Sequence, residues 1–384
     1  MEAYLDNSAT TRCYEEVKDA VVRCMMEDYG NPSSMHRKGV EAEMLLRQAS
    51  ETLAKTMKVS PGEIYYTSGG TESNNWALQG IAEAGKRRGN HIITTQIEHA
   101  AISAPLAALE ERGFRITKLP VDERGLIRPE ELEAAICDET LLVSIMFVNN
   151  EMGAVQPIRE IGELIKKKNP RTYFHVDAIQ AYGKLEIRPR SMKIDLLSVS
   201  AHKVHGPKGI GMLYIRDGVK IRPMILGGGQ QNAMRSGTDN VPGAVGFAAA
   251  AEKMHRELKE NAAHMEELKD RLISGLEALE DVEVHSFRGS KSAPHIVNAS
   301  FLGVRSEVLL HTLEDRGIYV SAGSACSSHK RAASATLTAI GCTKQEMESA
   351  VRFSFCEETT EEEIDYTLNT LREVLPMLRR FVRR

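Results

Sequence analysis

After a short stretch rich in turn formers, Asp6-Asn7-Ser8-Ala9-Thr10-Thr11, apolar positions recur at helical spacing over residues 14–28. Gly30-Asn31-Pro32-Ser33-Ser34 interrupts them, and a second helix is expected over 37–57. From there short apolar runs alternate with amphipathic segments. Strands are expected at 63–67, 91–95, 114–119, 141–148, 173–176, 194–199 and 211–215, with helices at 71–87, 100–112, 129–136 and 157–168. Strands separated by crossover helices predict an α/β fold with a mostly parallel sheet covered on both faces. Ligands in such sheets bind beyond the carboxyl ends of the strands.

A long helical stretch rich in Ala, Glu, Lys and Met covers 241–279. Beyond it the rhythm shortens, with strands expected at 282–285, 295–301, 318–321 and 349–355 and helices at 306–316 and 361–378. The change of rhythm divides the chain into a large domain over 13–260 and a smaller α+β domain built from 1–12 and 261–384. The last residues, Leu378 to Arg384, are basic and read as a solvated helix end.

Composition narrows the classes. A chain of 384 residues, 42% hydrophobic and 27% charged, is an ordinary globular composition with material for more than one core. A net charge of -4 gives no reason to expect nucleic acid or an anionic membrane as partner. No apolar run reaches the length of a bilayer span, and the first residues lack a signal-peptide pattern, so a cytoplasmic location is expected. The six cysteines are scattered without a C-x-x-C pair. They read as free thiols, with no metal site expected.

Candidate chemistry gathers at the predicted strand ends. The strand at 194–199 runs into Ser200-Ala201-His202-Lys203-Val204-His205-Gly206-Pro207-Lys208-Gly209. Glycine and proline there end the strand and let backbone approach a ligand closely. A lysine on such a turn can attack a carbonyl carbon, and the natural partner is the aldehyde of pyridoxal 5'-phosphate, held as a Schiff base. Between strand and helix, the loop holding Gly69, Gly70 and Thr71 can cradle a phosphate with outward N–H groups, together with Ser200. His99, opening a helix, can stack on a pyridine ring. Asp177 at a strand end can keep a ring nitrogen protonated, and Gln180 and Asn150 can reach the ring oxygen. Taken singly, each has an ordinary reading as a solvated lysine, a helix cap or a turn residue. Their joint placement at successive strand ends favours a site.

Two further elements lie in the second domain. Cys326 stands in a run of small residues, Ser321-Ala322-Gly323-Ser324-Ala325-Cys326-Ser327-Ser328. Few packing contacts are expected there, which suits a reactive thiol that moves better than a buried one. Arg352, in Val351-Arg352-Phe353-Ser354-Phe355, is costly in an apolar strand unless it meets a carboxylate, which it can grip with two prongs.

With these blocks assembled, the chain resembles the cysteine desulfurases of the NifS/IscS-like subgroup, fold-type-I pyridoxal-phosphate enzymes in the class V aminotransferase group. The likeness runs over nearly the whole length. It rests on Tyr4 to Thr11, Gly30-Asn31-Pro32-Ser33-Ser34-Met35-His36, Thr67 to Asn75, Val148-Asn149-Asn150-Glu151, His175-Val176-Asp177-Ala178, Ser200 to Gly209, Arg235-Ser236-Gly237-Thr238, Gly323-Ser324-Ala325-Cys326-Ser327 and Arg352-Phe353-Ser354. The resemblance implies a large domain with a seven-stranded, mostly parallel sheet. It implies that Lys203 holds the cofactor, that Cys326 forms a persulfide and that His99 stacks on the ring and serves proton transfer. Asp177 would pair with the ring nitrogen, with Asn150 and Gln180 near the ring oxygen. Gly70, Thr71, Ser200 and His202 would contact the phosphate, and Thr238 that of a second subunit in a homodimer. Arg352, with Asn150 nearby, would hold the carboxylate of L-cysteine.

The reaction so implied converts L-cysteine to L-alanine and passes the sulfur to an acceptor protein, a scaffold for iron–sulfur clusters or a tRNA-thiolation enzyme. A transient contact of Cys326 with an iron–sulfur cluster is also expected. Selenocysteine lyase or plain aminotransferase activity on the same fold is the alternative. The chain departs from the family pattern at Cys356, where glycine is usual, and at Gln230-Gln231-Asn232-Ala233.

Overall fold

The computed structural model describes residues 1–322 and 334–380. The helices in chain order are α1 (Glu15–Met26), α2 (Arg37–Met57), α3 (Gly70–Gly85), α4 (Ala100–Glu111), α5 (Pro129–Ala135), α6 (Ile158–Lys168), α7 (Val241–Arg256), α8 (Leu258–Glu277), α9 (Ser306–Glu314), α10 (Ala335–Ala339), α11 (Lys344–Ser349) and α12 (Glu361–Arg380). The N-terminal strand β1 (Ala3–Tyr4) is followed by β2 (Ile64–Thr67), β3 (His91–Thr95), β4 (Arg115–Leu119), β5 (Thr140–Met146), β6 (Tyr173–Asp177), β7 (Leu196–Ser200) and β8 (Gly211–Ile215).

Strands β2 to β8 form one seven-stranded sheet in the order β2-β8-β7-β6-β5-β3-β4. Only β8 runs against its neighbours; the pairs β3–β4, β3–β5, β5–β6 and β6–β7 are parallel. The predicted α/β class is therefore the observed one. Every residue of β3, β5, β7 and β8 is buried, as expected of strands covered on both faces. The chain steps from β3 outward to β4, then returns to place β5 on the other side of β3. That reversal opens a crevice beyond the carboxyl ends of β3 and β5.

A second sheet, in the order β12-β13-β10-β9, is antiparallel and built from β9 (Val282–Val284), β10 (Ile296–Phe301), β12 (Ser321–Ala322) and β13 (Ala350–Ser354). Strand β11 (Ile318–Tyr319) pairs with β1. This part has its own core, in which Leu268, Leu272, Phe301, Leu309, Phe353 and Leu371 meet Ala3 and Leu5 from the start of the chain. The large sheet has another, with Phe174, Val199, Tyr214 and Phe247 among its members.

The helical stretch expected over 241–279 consists of two helices, broken at Glu257 (φ -106°, ψ 9°). The physical reason lies in the cores. Ala244, Phe247 and Met254 of α7 bury against the large sheet, whereas Leu268, Leu272 and Leu276 of α8 bury in the other core. One straight helix cannot present both stripes. The short helices α10 and α11 were not expected, since 5- and 6-residue segments carry little periodicity.

Candidate active site

The carboxyl ends of β2, β3, β5, β6 and β7 converge on a cavity of about 480 Å³. Gly70, Thr71, His99, Asn150, Asp177, Gln180, Ser200, His202, Lys203 and Arg352 all line it. Of the predicted site residues, Thr238 does not line it and is exposed on its loop. Cys326 lies outside the described residues. The two residues that lead into its segment, Ser321 and Ala322, line the cavity. At the segment's far end Ser334 Oγ donates to Glu151, which also lines it.

Lys203 stands on a single 3-10 turn, Ala201–Lys203, that directly follows β7. Its Nζ donates to the main-chain carbonyl of Ala9 at 2.7 Å and to that of Ser8. The turn is held from behind: Thr11 Oγ1 donates to the His202 carbonyl at 3.0 Å, and buried Lys184 donates from Nζ to the Lys203 carbonyl at 2.7 Å. His202 Nδ1 lies 3.1 Å from Thr10 Oγ1. Burial, with the charges of Lys203 and Lys208 added, pushes the His202 imidazole down to about 4, so it is neutral at physiological pH.

Asp177 closes β6 and is buried. Its Oδ2 accepts from Asn74 Nδ2 at 2.8 Å and its Oδ1 from the Ile179 N–H at 3.0 Å. Burial nonetheless raises its carboxyl above the ordinary range, so the ionised form calls for a cationic partner. Asn74 was not singled out from the sequence. It is fully buried on the second turn of α3, and its Oδ1 has no partner. Nearby, half-buried Glu98 accepts from Thr95 Oγ1 at 2.7 Å and from the Met146 N–H at 3.0 Å, and desolvation pushes it up to about 8.

The helix start beneath these groups has Gly69 as N-cap, so Thr71 lies inside the first turn of α3. A Cβ at Gly70 would fall 2.2 Å from Ile179 Cδ1, so any larger residue there would have to displace that side chain beside the helix N-terminus. His99 caps α4, its Nδ1 accepting from the Ala101 N–H at 3.1 Å. Gln180 donates from Nε2 to the Ser8 carbonyl at 2.9 Å, the carbonyl that also takes the Lys203 ammonium, and leaves Oε1 buried without a partner.

Arg352 meets a carboxylate from within the protein. Its Nη2 donates to Asp6 Oδ1 at 2.8 Å and its Nη1 to the Asn150 carbonyl at 2.8 Å, while Nε is buried without a partner. In the sequence Asp6 and Ser8 stand out only as members of a turn-rich stretch and of the block Tyr4 to Thr11. The proximity of Asp6 to Arg352 follows from Ser354 and Leu5 sharing a main-chain hydrogen bond.

The residues present fit pyridoxal phosphate. The cavity is within the size range of cofactor sites. It holds a glycine-lined helix start for an anion, a buried carboxylate whose ionised form calls for a cation, a lysine and unpartnered polar atoms on Ser8 and Gln180. Lys203 would hold the aldehyde carbon, Asp177 the ring nitrogen, and Gly70, Thr71, Ser200 and His202 the phosphate.

Comparison with known proteins points the same way. Residues 3–367 match the family described as aminotransferase class-V. The chain is 44% identical over 380 residues to "Cysteine desulfurase IscS" of Clostridium botulinum, which covers 98% of this chain and 95% of that protein. Among solved structures, a "NIFS-LIKE PROTEIN" superposes with a TM-score of 0.93 at 43% identity, covering 98% of this chain and all of the other. "SspA in complex with cysteine" superposes with a TM-score of 0.81 at 33% identity over 93% of this chain and 100% of that one.

Proposed function

The chain belongs to the class-V aminotransferase family and is one of its cysteine desulfurases, and from that premise we propose how its residues divide the work. The observation that carries the reading is one cavity lined by Lys203, Asp177, Arg352 and Ala322, with Cys326 four residues beyond Ala322 in the sequence. Pyridoxal phosphate, when bound, supplies an electron sink for the bonds around the substrate α-carbon.

The protein's own groups do the rest. Arg352 takes the carboxylate of L-cysteine, which here competes with Asp6 for the guanidinium. Asp177, braced by Asn74, keeps a proton on the ring nitrogen. Lys203 Nζ, once released, removes and returns the α-proton, and His99 is placed to assist. Cys326, four residues beyond Ala322, is tethered within about 14 Å of backbone from the cavity wall. As thiolate its Sγ attacks the substrate sulfur: an S–S bond forms, the C–S bond breaks, and its electron pair stays with carbon. That carbon takes up a proton and leaves as alanine, with the sulfur held as a persulfide.

The sulfur then passes to an acceptor thiol on a partner protein, either a scaffold for iron–sulfur clusters or a tRNA-thiolation enzyme, with a cluster touching Cys326 in transit. Two copies of the chain form the working unit. Val22, Met25, Met26 and Tyr29 on and after α1, and Met35, Val40 and Met44 on and before α2, are exposed large apolar side chains that a second copy would cover. Thr238 would then face the partner's phosphate site; its loop is anchored by Arg235, paired with Glu72 on the first turn of α3 at 2.9 Å. Among the described residues no helix is long and apolar enough to cross a membrane. The five cysteines among the described residues are free thiols, which suits a reducing cytoplasm.

The test is product analysis. Purified protein with pyridoxal phosphate, L-cysteine and a reducing thiol should yield alanine and sulfide in equal amounts. Keto acid in place of alanine would assign plain transamination instead, and turnover confined to L-selenocysteine would assign a lyase.

A further inference from the structure

The active-site reading leaves Cys356 without a role. This cysteine is buried and lies two residues beyond β13, the strand of Arg352. Beside it stands His205, two residues past Lys203 on the same turn, with a left-handed φ of 61° that non-glycine residues seldom adopt. The conformation is locked: the His205 N–H donates to Thr11 Oγ1 at 2.7 Å, and Nδ1 lies 2.7 Å from the Arg12 carbonyl. A carbonyl only accepts, so Nδ1 is assigned the ring proton and Nε2 presents a lone pair. That nitrogen faces Glu357 Oε1 at 3.4 Å. Cys356 Sγ completes a triad whose donor atoms all lie within 4.8 Å of one another.

Nε2 and the Glu357 carboxylate, which also accepts from the Tyr14 hydroxyl, can both present lone pairs to a positive species placed between them. A separation of 3.4 Å is compatible with two corners of a tetrahedron around zinc, whose N and O bonds of about 2.0–2.1 Å subtend roughly that span. The thiol is a third donor of the kind zinc prefers. Glu357 Oε2 is buried with no partner, and the Nδ1–carbonyl contact is the outer support that metal-bound imidazoles use.

We propose that His205 Nε2, Cys356 Sγ and the Glu357 carboxylate bind one zinc ion, with a water in the fourth position. On binding, the Cys356 thiol gives its proton to solvent and the thiolate bonds the metal. Thiolate and carboxylate together balance the divalent charge, which they must, because the Lys184 ammonium stands within electrostatic reach of Cys356. Tyr14, stacked on His205 with ring centres 4.3 Å apart and hydrogen-bonded to Glu357, encloses the site. The ion would staple the Lys203 turn to the segment leaving β13, joining the two walls that carry Lys203 and Arg352.

The experiment loads holoenzyme with zinc sulfate, desalts it, and measures zinc per chain by mass spectrometry, for wild type, Cys356→Ala and Cys326→Ala. Wild type and Cys326→Ala should each keep about one zinc per chain, and Cys356→Ala less than about a tenth of that. X-ray absorption at the zinc edge of the wild type should show one sulfur and the rest nitrogen or oxygen. The proposal is overturned if wild type keeps no zinc, if Cys356→Ala keeps as much as wild type, or if only Cys326→Ala loses it. Should Cys356→Ala fail to fold, the wild-type spectrum decides: a coordination shell without sulfur rejects the site.

Discussion

Asn74 Nδ2 donates to Asp177 Oδ2 across 2.8 Å, tying the second turn of α3 to the last residue of β6. The same helix would offer its N-terminus to the phosphate, so one rigid element would set both ends of the cofactor site. A hydrogen bond to a buried carboxylate contributes about 1.5–3 kcal/mol. Asn74→Ala should therefore lower kcat/KM roughly 10- to 100-fold and release pyridoxal phosphate more easily. Steady-state kinetics with L-cysteine, alongside cofactor retention on dialysis, would check it; unchanged retention with unchanged kinetics counts against the brace.

Lys203 and Cys326 separate cleanly in their expected defects. Lys203→Ala should lose the visible absorbance of the lysine-bound cofactor and all turnover. Cys326→Ala should keep the colour and still bind L-cysteine but accumulate no protein persulfide, read by mass spectrometry of the intact chain. Wild-type turnover in the first variant rejects the lysine assignment, and sulfur delivery by the second rejects the thiol.

The Arg352–Asp6 pair predicts a substrate-binding phenotype. Each hydrogen bond from the guanidinium to a substrate carboxylate contributes about 1.5–3 kcal/mol, and without Arg352 the Asp6 carboxylate would face the substrate's own. Arg352→Ala should raise KM for L-cysteine by two orders of magnitude or more, with kcat less affected. Arg352→Lys should recover little of it, since an ammonium cannot make the two-pronged contact with Asp6 and the Asn150 carbonyl. A lysine variant with wild-type KM would show that a point charge suffices.

Glu98 makes stability depend on pH. Burial holds its folded pKa at about 8 against 4.5 for an unperturbed carboxyl. Between those values the folded chain keeps a proton that the unfolded chain has released, so this group's contribution falls as pH rises and levels off above about 8. The slope is at most about 1.4 kcal/mol per pH unit. Glu98→Gln, neutral at every pH, should remove it. Urea midpoints at pH 5.5 and 7.5 would show wild type losing more stability than the variant over that interval; parallel losses would mean Glu98 is ionised in the fold.

Gly70 offers a steric test. Its missing Cβ would lie 2.2 Å from Ile179 Cδ1, and overpacking of this kind costs about 1–3 kcal/mol. Gly70→Ala should weaken cofactor affinity more than it lowers the unfolding midpoint, because the displaced Ile179 side chain also lines the cavity.

Much of this protein was readable along the chain. Buried parallel strands demand continuous apolar runs, and the turns that end them demand glycine, proline and small polar residues. Each strand therefore announced its own carboxyl end, and His99, Asp177 and Lys203 could be placed without coordinates. Local pattern carries no information about what lies across a gap in sequence, and there the fold alone decided. Arg352 meets Asp6 only because the start of the chain runs beside β13, Asn74 reaches Asp177 only because α3 covers the sheet, and His205 meets Cys356 and Glu357 only where the two cores touch. Such contacts are set by the packing of whole elements, which is a property of the complete hydrophobic core and not of any one segment.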